Sequence, residues 1–208
     1  MKTIANIFLL ALWCMVPLRT YAQGAHWTCD ERAFQYDMTA YISLVSTCGN
    51  AVDLSAYEVA AFVGNECRGI ARLQKAPNGV SFYGYIRIHS NVSSGEAVTV
   101  KAYSKSLGAE LAVESETVTF EANSVKGLPS APFALTLPRL LGDVNCDGII
   151  TVGDVTALVN IILGKDSLEN SFDRNVADVN RDGTITIADV TALVNIIIGN
   201  SEYTPYVL

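Results

Sequence analysis

The sequence predicts a protein of two parts, a mainly β N-terminal antiparallel β-sandwich followed by a small all-α C-terminal module. In residues 27–138, short runs of alternating apolar and polar residues are separated by turn residues. Residues 142–200 contain instead two copies of one loop–helix unit. A length of 208 residues fits one or two domains. We expect a sandwich at 23–138, a linker at 139–141, the helical module at 142–200 and a tail at 201–208.

The N-terminal residues 1–22 have the pattern of a cleaved export signal. Lys2 supplies a positive charge, residues 4–16 are nearly all apolar, and Thr20-Tyr21-Ala22 places small residues at the −3 and −1 positions of a cleavage site. The apolar run is well short of the roughly 20 residues that a membrane-spanning helix needs. We therefore expect an exported protein that is periplasmic, cell-surface or extracellular and does not span the membrane.

The alternation within the first part predicts about seven to nine short strands, which is typical of an antiparallel sandwich. Turns are predicted where Gly, Asn and Pro cluster between the runs. The apolar positions expected to point inward are Phe34, Tyr36, Met38, Ala40, Ile42 and Leu44; Val59, Ala61 and Val63; Val80, Phe82, Ile86 and Ile88; Val98, Val100 and Ala102; Val113, Val118 and Phe120; and Phe133, Leu135 and Leu137.

The charge balance limits the partners. Lys and Arg number 14 against 21 Asp and Glu, so the formal net charge is −7 and the pI is about 4.8. A phosphate backbone is repelled by such a surface, which argues against a nucleic-acid partner. The acid excess indicates instead that some carboxylates bind cations.

The C-terminal part repeats itself at a period of 35 residues. Each copy has oxygen-bearing side chains at loop positions 1, 3, 5, 9 and 12, glycine at position 6 and a backbone carbonyl at position 7. Calcium takes 6–8 oxygen ligands, and this spacing supplies them from a short loop. A pair of ordinary Asx-rich turns is the alternative, but two full copies favour calcium. We expect two Ca²⁺ ions, with ligands Asp143, Asn145, Asp147, Ile149, Thr151 and Asp154, and Asp178, Asn180, Asp182, Thr184, Thr186 and Asp189.

A helix is predicted after each loop but not before the first one. The shared sequence VTALVNI, at 155–161 and 190–196, gives an apolar stripe at helical spacing, and Gly164 and Gly199 end the two helices. Pro129, Pro132 and Pro138 argue against a helix that enters the first loop. Position 12 is also Asp, whereas an ordinary EF-hand has Glu there.

On these residues, 142–200 resembles a type I dockerin domain. The resemblance implies a module that docks onto a cohesin partner and attaches enzymes or accessory modules of polysaccharide degradation to a scaffold. The family's Ser-Thr pair and basic residues at its partner positions are missing here, so the identity of the cohesin does not carry over. Ordinary packing of these side chains is the alternative. The partner positions in this sequence are Val152, Gly153, Val159 and Asn160, then Ile187, Ala188, Val194 and Asn195.

The sequence contains no recognisable catalytic constellation. No spacing singles out a carboxylate pair, only two histidines occur, and neither GxSxG nor HExxH is present. We therefore expect a non-catalytic accessory protein. Two alternatives stay open: a small glycosidase that carries a dockerin, and a purely structural surface protein stabilised by calcium.

One predicted strand suggests glycan binding. If Phe82, Ile86 and Ile88 point inward, the outer face of that strand carries an aromatic row with polar groups, which can stack on sugar rings. Coverage of this face by the second sheet or a loop is the alternative. The candidate residues are Tyr83, Tyr85, Arg87 and His89.

Four cysteines remain after the signal is removed: Cys29, Cys48, Cys67 and Cys146. An exported protein can form disulfides, and four cysteines allow three pairings. Cys146 lies inside the first acidic loop, where we expect it to face water. Cys29–Cys48 and Cys48–Cys67 are both plausible bridges, and the sequence does not choose between them.

Overall fold

The computed structural model describes residues 25–77, 79, 82–114, 117–165 and 174–200. The predicted export signal and the C-terminal tail lie outside these ranges, as does Val80. None of the helices in the described ranges combines the length and the apolarity that a bilayer crossing requires. The chain forms two β-sheets first and a small helical segment afterwards.

The first sheet is organised around its longest strand, β1. This strand pairs antiparallel with β2 and β6, and β5 lies beyond β6. Two later strands, β10 and β11, pair with β1 in parallel. The predicted antiparallel sandwich is therefore confirmed in its main strand pairs, with two short parallel pairings to β1 added. The strands are β1 (Tyr36–Val45), β2 (Ala51–Val52), β5 (Arg72–Lys75), β6 (Phe82–Ser90), β10 (Val125–Lys126) and β11 (Phe133–Thr136).

The second sheet has the order β4-β3-β7-β8, and all of its pairs are antiparallel. The long strand β7 pairs with β9 through its first half and with β8 through its second half. Two short 3-10 helices, Glu31–Ala33 and Leu54–Ala56, precede β1 and β3. The strands are β3 (Tyr57–Val63), β4 (Glu66–Ile70), β7 (Ser94–Ser104), β8 (Ala109–Ala112) and β9 (Val118–Glu121).

The core between the sheets follows the predicted alternation. Every second residue of β1 from Met38 to Leu44 is buried, and so are Ile86 and Ile88 of β6. Residues of β3, β7 and β9 belong to the same buried cluster. Among the described residues, two predicted core residues lie outside this cluster: Phe34, which is half-buried against His89, and Phe82, which is 52% exposed. Phe82 is the first residue of β6, and it lines a surface cavity with Pro129 and Pro132 instead of reaching the core.

The helical segment contains α1 (Val152–Ile162), α2 (Arg174–Ala177) and α3 (Ile187–Ile197). Leu158 and Leu193, at equivalent positions of the repeat, are fully buried. Gly164 and Gly199 follow their helices with positive φ angles of 64° and 72°, as expected of helix C-terminal glycines. The four-residue α2 is too short to carry an apolar stripe, so no helical pattern in the sequence predicts it.

The helical segment shares its core with the sandwich. Leu137, Leu140, Ile150, Leu158 and Leu193 lie in the same buried cluster as the strands. The predicted linker therefore contributes a buried side chain. This continuity fixes the first acidic loop against the sheets.

Candidate functional site

The first acidic loop folds around the carboxylate of Asp143. Its Oδ1 accepts a hydrogen bond from the amide of Asp147 at 3.1 Å, and its Oδ2 accepts one from Gly148 at 2.9 Å. Asp147 Oδ1 accepts from the amide of Ile149 at 2.8 Å. Asp and Asn side chains therefore set the turn locally, as their chemistry favours.

The second loop repeats this arrangement bond for bond. Asp178 accepts from the amides of Asp182 and Gly183 at 3.1 and 2.8 Å, and Asp182 accepts from that of Thr184 at 2.8 Å. The side chain of Asn180 donates to Asp182 at 2.9 Å, matching the equivalent bond from Asn145 to Asp147. The sequence repeat is thus a structural repeat.

Positions 9 and 12 of each loop form the capping box of the following helix. Thr151 is the N-cap of α1, and Asp154 Oδ2 accepts from its amide at 2.8 Å. Thr186 and Asp189 do the same for α3, also at 2.8 Å. Sequence reasoning assigned these residues to calcium alone. The Thr-x-x-Asp spacing was the signal that could have revealed the cap.

The position-12 carboxylates also hold the beginning of each loop. Asp154 Oδ1 accepts from the amides of Val144 and Asn145 at 2.9 and 3.2 Å, and Asp189 Oδ1 accepts from Asn180 at 3.1 Å. Both aspartates are 0% exposed. Each one therefore ties its loop to its helix.

The two loops differ in their surroundings. Asp143 is 9% exposed, and burial, followed by the nearby carboxylates of Asp154 and Asp147, raises its pKa to about 7. Burial also raises the pKa of Asp154. In the second loop Asp182 is exposed, and hydrogen bonds from Thr184 and Asn180 lower its pKa. The first loop is therefore closed, and the second is open to water.

The donor set of both loops fits calcium. Each loop offers carboxylate, amide, hydroxyl and carbonyl oxygens, which are the hard ligands that calcium prefers, and it offers no competing nitrogen or sulfur ligand at those positions. Within the described ranges, three or more His, Cys, Asp or Glu side chains do not converge into a metal cluster. Because the loop carboxylates hydrogen-bond to backbone amides and do not cluster, the argument for calcium depends on the mixture of oxygen ligands that each loop contains.

The sandwich covers the back of the first loop. Cys146 forms a disulfide with Cys48, which follows β1, across 98 positions of sequence. The Asn50 side chain donates to the carbonyl of Cys146 at 3.0 Å, and the Tyr57 hydroxyl donates to that of Gly148. The expectation of a water-facing Cys146 and of a Cys29–Cys48 or Cys48–Cys67 bridge was therefore wrong. The loop turns Cys146 towards the sheets, not into water.

Gly148 and Gly183 offer a matched test of this contact. Both have positive φ, at 81° and 86°, but a Cβ on Gly148 would meet Val52 Cγ2 at 2.6 Å, whereas one on Gly183 would meet nothing within 4 Å. Alanine costs about 1–2 kcal/mol at either site for the backbone. We expect Gly148→Ala to lose about 1–3 kcal/mol more through overpacking. Urea unfolding in saturating calcium measures the difference, and equal losses would contradict the contact.

The predicted docking residues lie in two groups along α1 and α3, one at the N-terminal end of each helix and one farther along it. Val152 and Ile187, at the start of α1 and α3, are both 68% exposed, and Gly153 and Ala188 beside them are exposed too. Farther along, Val194 is exposed, whereas the other three positions are half-buried and offer less surface to a partner. The half-buried residues are Val159, Asn160 and Asn195.

The predicted aromatic row is present on the outer face of the first sheet, and a neighbouring strand extends it. Tyr83 and Tyr85 are half-buried, and the ring of Tyr41 from β1 lies 5.5 and 5.7 Å from their centroids. Sequence reasoning missed Tyr41 because only the β1–β6 register places it beside Tyr85. Arg87 is exposed and forms an ion pair with Asp37.

His89 does not belong to this exposed face. It is 5% exposed, its ring stacks on that of Phe34 at 6.1 Å, and burial lowers its pKa. The expectation that it contacts a ligand was wrong. The segment that carries Phe34 packs over this end of β6 and excludes water from the imidazole.

Residues 141–198 match the family model of the dockerin type I domain. The C-terminal part of the chain is therefore a type I dockerin domain, a kind of domain that generally binds calcium. Proteins that carry it are typically extracellular or on the cell surface. The match does not extend over the sandwich.

Other comparisons add little. No curated protein matches the chain. Among solved structures, an N-terminal interface mutant of a type II cohesin–X-dockerin complex from Acetivibrio cellulolyticus is similar at 20% identity. The similarity covers 77% of this chain and 94% of that one, with a TM-score of 0.30, which is too low to inform the fold.

Proposed function

We propose that the protein is an exported, non-catalytic accessory protein whose dockerin domain binds a cohesin-type partner in the presence of calcium. The observation that carries this proposal is the family match at residues 141–198. A role in polysaccharide degradation follows from the family association.

The proposal includes two calcium ions, one for each loop. The two loops share the same donor types at the same positions and the same pattern of amide hydrogen bonds. When bound, each ion would neutralise the carboxylates of its loop. Asp143, Asn145, Asp147 and Asp154, with the Ile149 carbonyl and Thr151, would hold the first. The second would be held by Asp178, Asn180, Asp182, Asp189, the Thr184 carbonyl and Thr186.

The docking face is proposed at the N-terminal ends of α1 and α3. Val152 and Ile187 are large apolar side chains at equivalent positions, and both are 68% exposed. Exposed apolar side chains beside small residues such as Gly153 and Ala188 leave room for a partner's surface. A buried interface there would remove these side chains from water, which favours binding.

The test is binding to cohesin modules from the source organism, measured by calorimetry with calcium and with chelator. Val152→Asp plus Ile187→Asp should weaken binding at least about tenfold, because charges enter an apolar contact. Val92→Asp, a 45% exposed valine on the sandwich, is the matched control and should bind normally. Binding that survives chelator, or is unaffected by the double variant, contradicts the proposal.

A second proposed function is glycan binding by the sandwich. It is supported by the cluster of Tyr41, Tyr83 and Tyr85 on one sheet face, next to the polar pair of Arg87 and Asp37. Aromatic rings can stack on the apolar faces of sugars, while charged groups bond to their hydroxyls. The end of β6 that carries His89 is covered, so it does not present exposed aromatic rings together with charged groups.

Affinity electrophoresis on a panel of polysaccharides tests this second function. Tyr83→Ala plus Tyr85→Ala should abolish retardation in a folded protein, because the rings that stack on the sugar are lost. Tyr83→Phe plus Tyr85→Phe keeps the rings and should retain most of it. Unchanged retardation of the alanine variant would contradict glycan binding at this face. Release of reducing sugar by the native protein would favour the glycosidase alternative.

A further inference from the structure

The start of the described chain is fastened to the outer face of the second sheet. The ring of Trp27 packs edge-on against Phe62 of β3, with centroids 5.5 Å apart. The amides of His26 and Trp27 both donate to the carboxylate of Glu58, each at 2.9 Å. The His26 ring stacks on Tyr103 at 3.8 Å. The backbone of this segment is therefore fixed in position on the sheet.

Two free cysteines meet under this segment. Cys67 of β4 lies opposite Phe62 in the strand register and packs against the small cluster of Trp27, Ala60 and Phe62. Cys29 follows Trp27 by two residues. The thiols of Cys29 and Cys67 lie close enough to interact with each other, and both residues are partly buried. The fold thus brings together two thiols that are 38 residues apart in sequence.

We propose that Cys29 and Cys67 form a second disulfide, which locks the N-terminal segment onto the sheet. The same chain already joins Cys48 to Cys146, so its native state requires an environment that oxidises thiols. Two thiols held side by side react as neighbours, with a high effective concentration. The pairing also leaves no odd cysteine in the mature sequence.

The oxidant is a disulfide compound or a disulfide oxidoreductase. A thiolate of the pair attacks the oxidant's disulfide and forms a mixed disulfide with release of one oxidant thiol. The second cysteine then attacks the mixed disulfide, closes the Cys29–Cys67 bond and releases the second oxidant thiol. Two protein thiols are oxidised, and one oxidant disulfide is reduced to two thiols.

The local environment predicts slow closure once the segment is docked. Burial, together with the neighbouring Cys67 and Glu31, raises the pKa of Cys29 to about 11. Burial also raises the pKa of Cys67. Because the thiolate is the reactive form, few molecules carry it at neutral pH. Catalysis by an oxidoreductase, or oxidation before the segment docks, avoids this delay.

The experiment is disulfide mapping of the mature chain after refolding in a buffer of reduced and oxidised glutathione. Incubation continues until Cys48–Cys146 is complete, which serves as the internal control. Remaining thiols are alkylated, and the protein is digested with trypsin and chymotrypsin. Cleavage after Tyr57 or Phe62 separates Cys48 from Cys67. A linked peptide pair containing Cys29 and Cys67 is expected; alkylated Cys29 and Cys67, or any other partner for either, overturns the proposal.

Substitution gives an independent readout. Cys29→Ser and Cys67→Ser should each lower the melting temperature by several degrees, since each breaks the same cross-link. The double variant should melt close to the single variants, because the bond is lost only once. Far-ultraviolet circular dichroism checks that the variants are folded. Single variants as stable as the parent chain, or additive losses in the double variant, contradict a shared bond.

Discussion

Chelation of calcium is expected to unfold the dockerin domain while the sandwich stays folded. Without a cation, the aspartates of each loop carry like charges that repel one another. The helices and loops contribute only a few buried side chains to the core they share with the sandwich, so little resists this repulsion. Circular dichroism should show a loss of helical signal in excess EGTA that returns with calcium. Trp27 is the only tryptophan in residues 23–208, so in a protein of that span its fluorescence reports on the sandwich alone. An unchanged helical signal would contradict the prediction.

A matched pair of substitutions distinguishes calcium binding by the first loop from calcium binding by the second. Asp154→Asn and Asp189→Asn each remove one charge from a fully buried carboxylate at an equivalent position of its loop. Each variant should bind one ion with near-native affinity and the other at least about tenfold more weakly, because calcium affinity follows ligand charge. Titration calorimetry measures both. Two equally tight sites in either variant would show that position 12 is not a ligand.

Loss of the Cys48–Cys146 disulfide is the second change with a large expected effect. The bond closes a loop across 98 positions of sequence, for which chain entropy gives about 4–5 kcal/mol of stabilisation. Contacts of Asn50 and Tyr57 with the same loop remain, so the domain should stay docked but unfold more easily. Cys48→Ser, Cys146→Ser and the double variant should show the same loss in urea unfolding with calcium.

Equality among those three variants is the control. Each removes the same bond, so unequal losses would show that a serine itself disturbs the interface. Stability equal to that of the parent chain would mean that the disulfide contributes nothing beyond the contacts around it.

The parts of the site that sequence predicted are local. The bonds from Asp143 to the amides of Asp147 and Gly148 span four or five residues. The caps at Thr151 and Thr186 span three and are just as local, although these residues were predicted only as calcium ligands. Patterns of this short range can be predicted from the spacing of residues in the sequence. The same holds for strand alternation, which predicted the burial of Met38 to Leu44.

The parts that sequence missed depend on contacts between distant segments. Taken by itself, the acidic loop would expose Cys146 to water. Packing of the loop against the sheet at β1 and β2 turns the Cys146 side chain towards Cys48. Tyr41 joins the aromatic face through strand register. The parallel strands β10 and β11 are short, so their direction is set by the connection that brings them beside β1, not by their composition.

The bridge from the sandwich to the first loop has a mechanical consequence. If a bound partner is pulled away from the rest of the protein, tension need not pass only through the chain segment between β11 and α1. The covalent link between Cys48 and Cys146 carries it directly into the end of β1. The attachment should therefore hold under load until the sheet itself gives way.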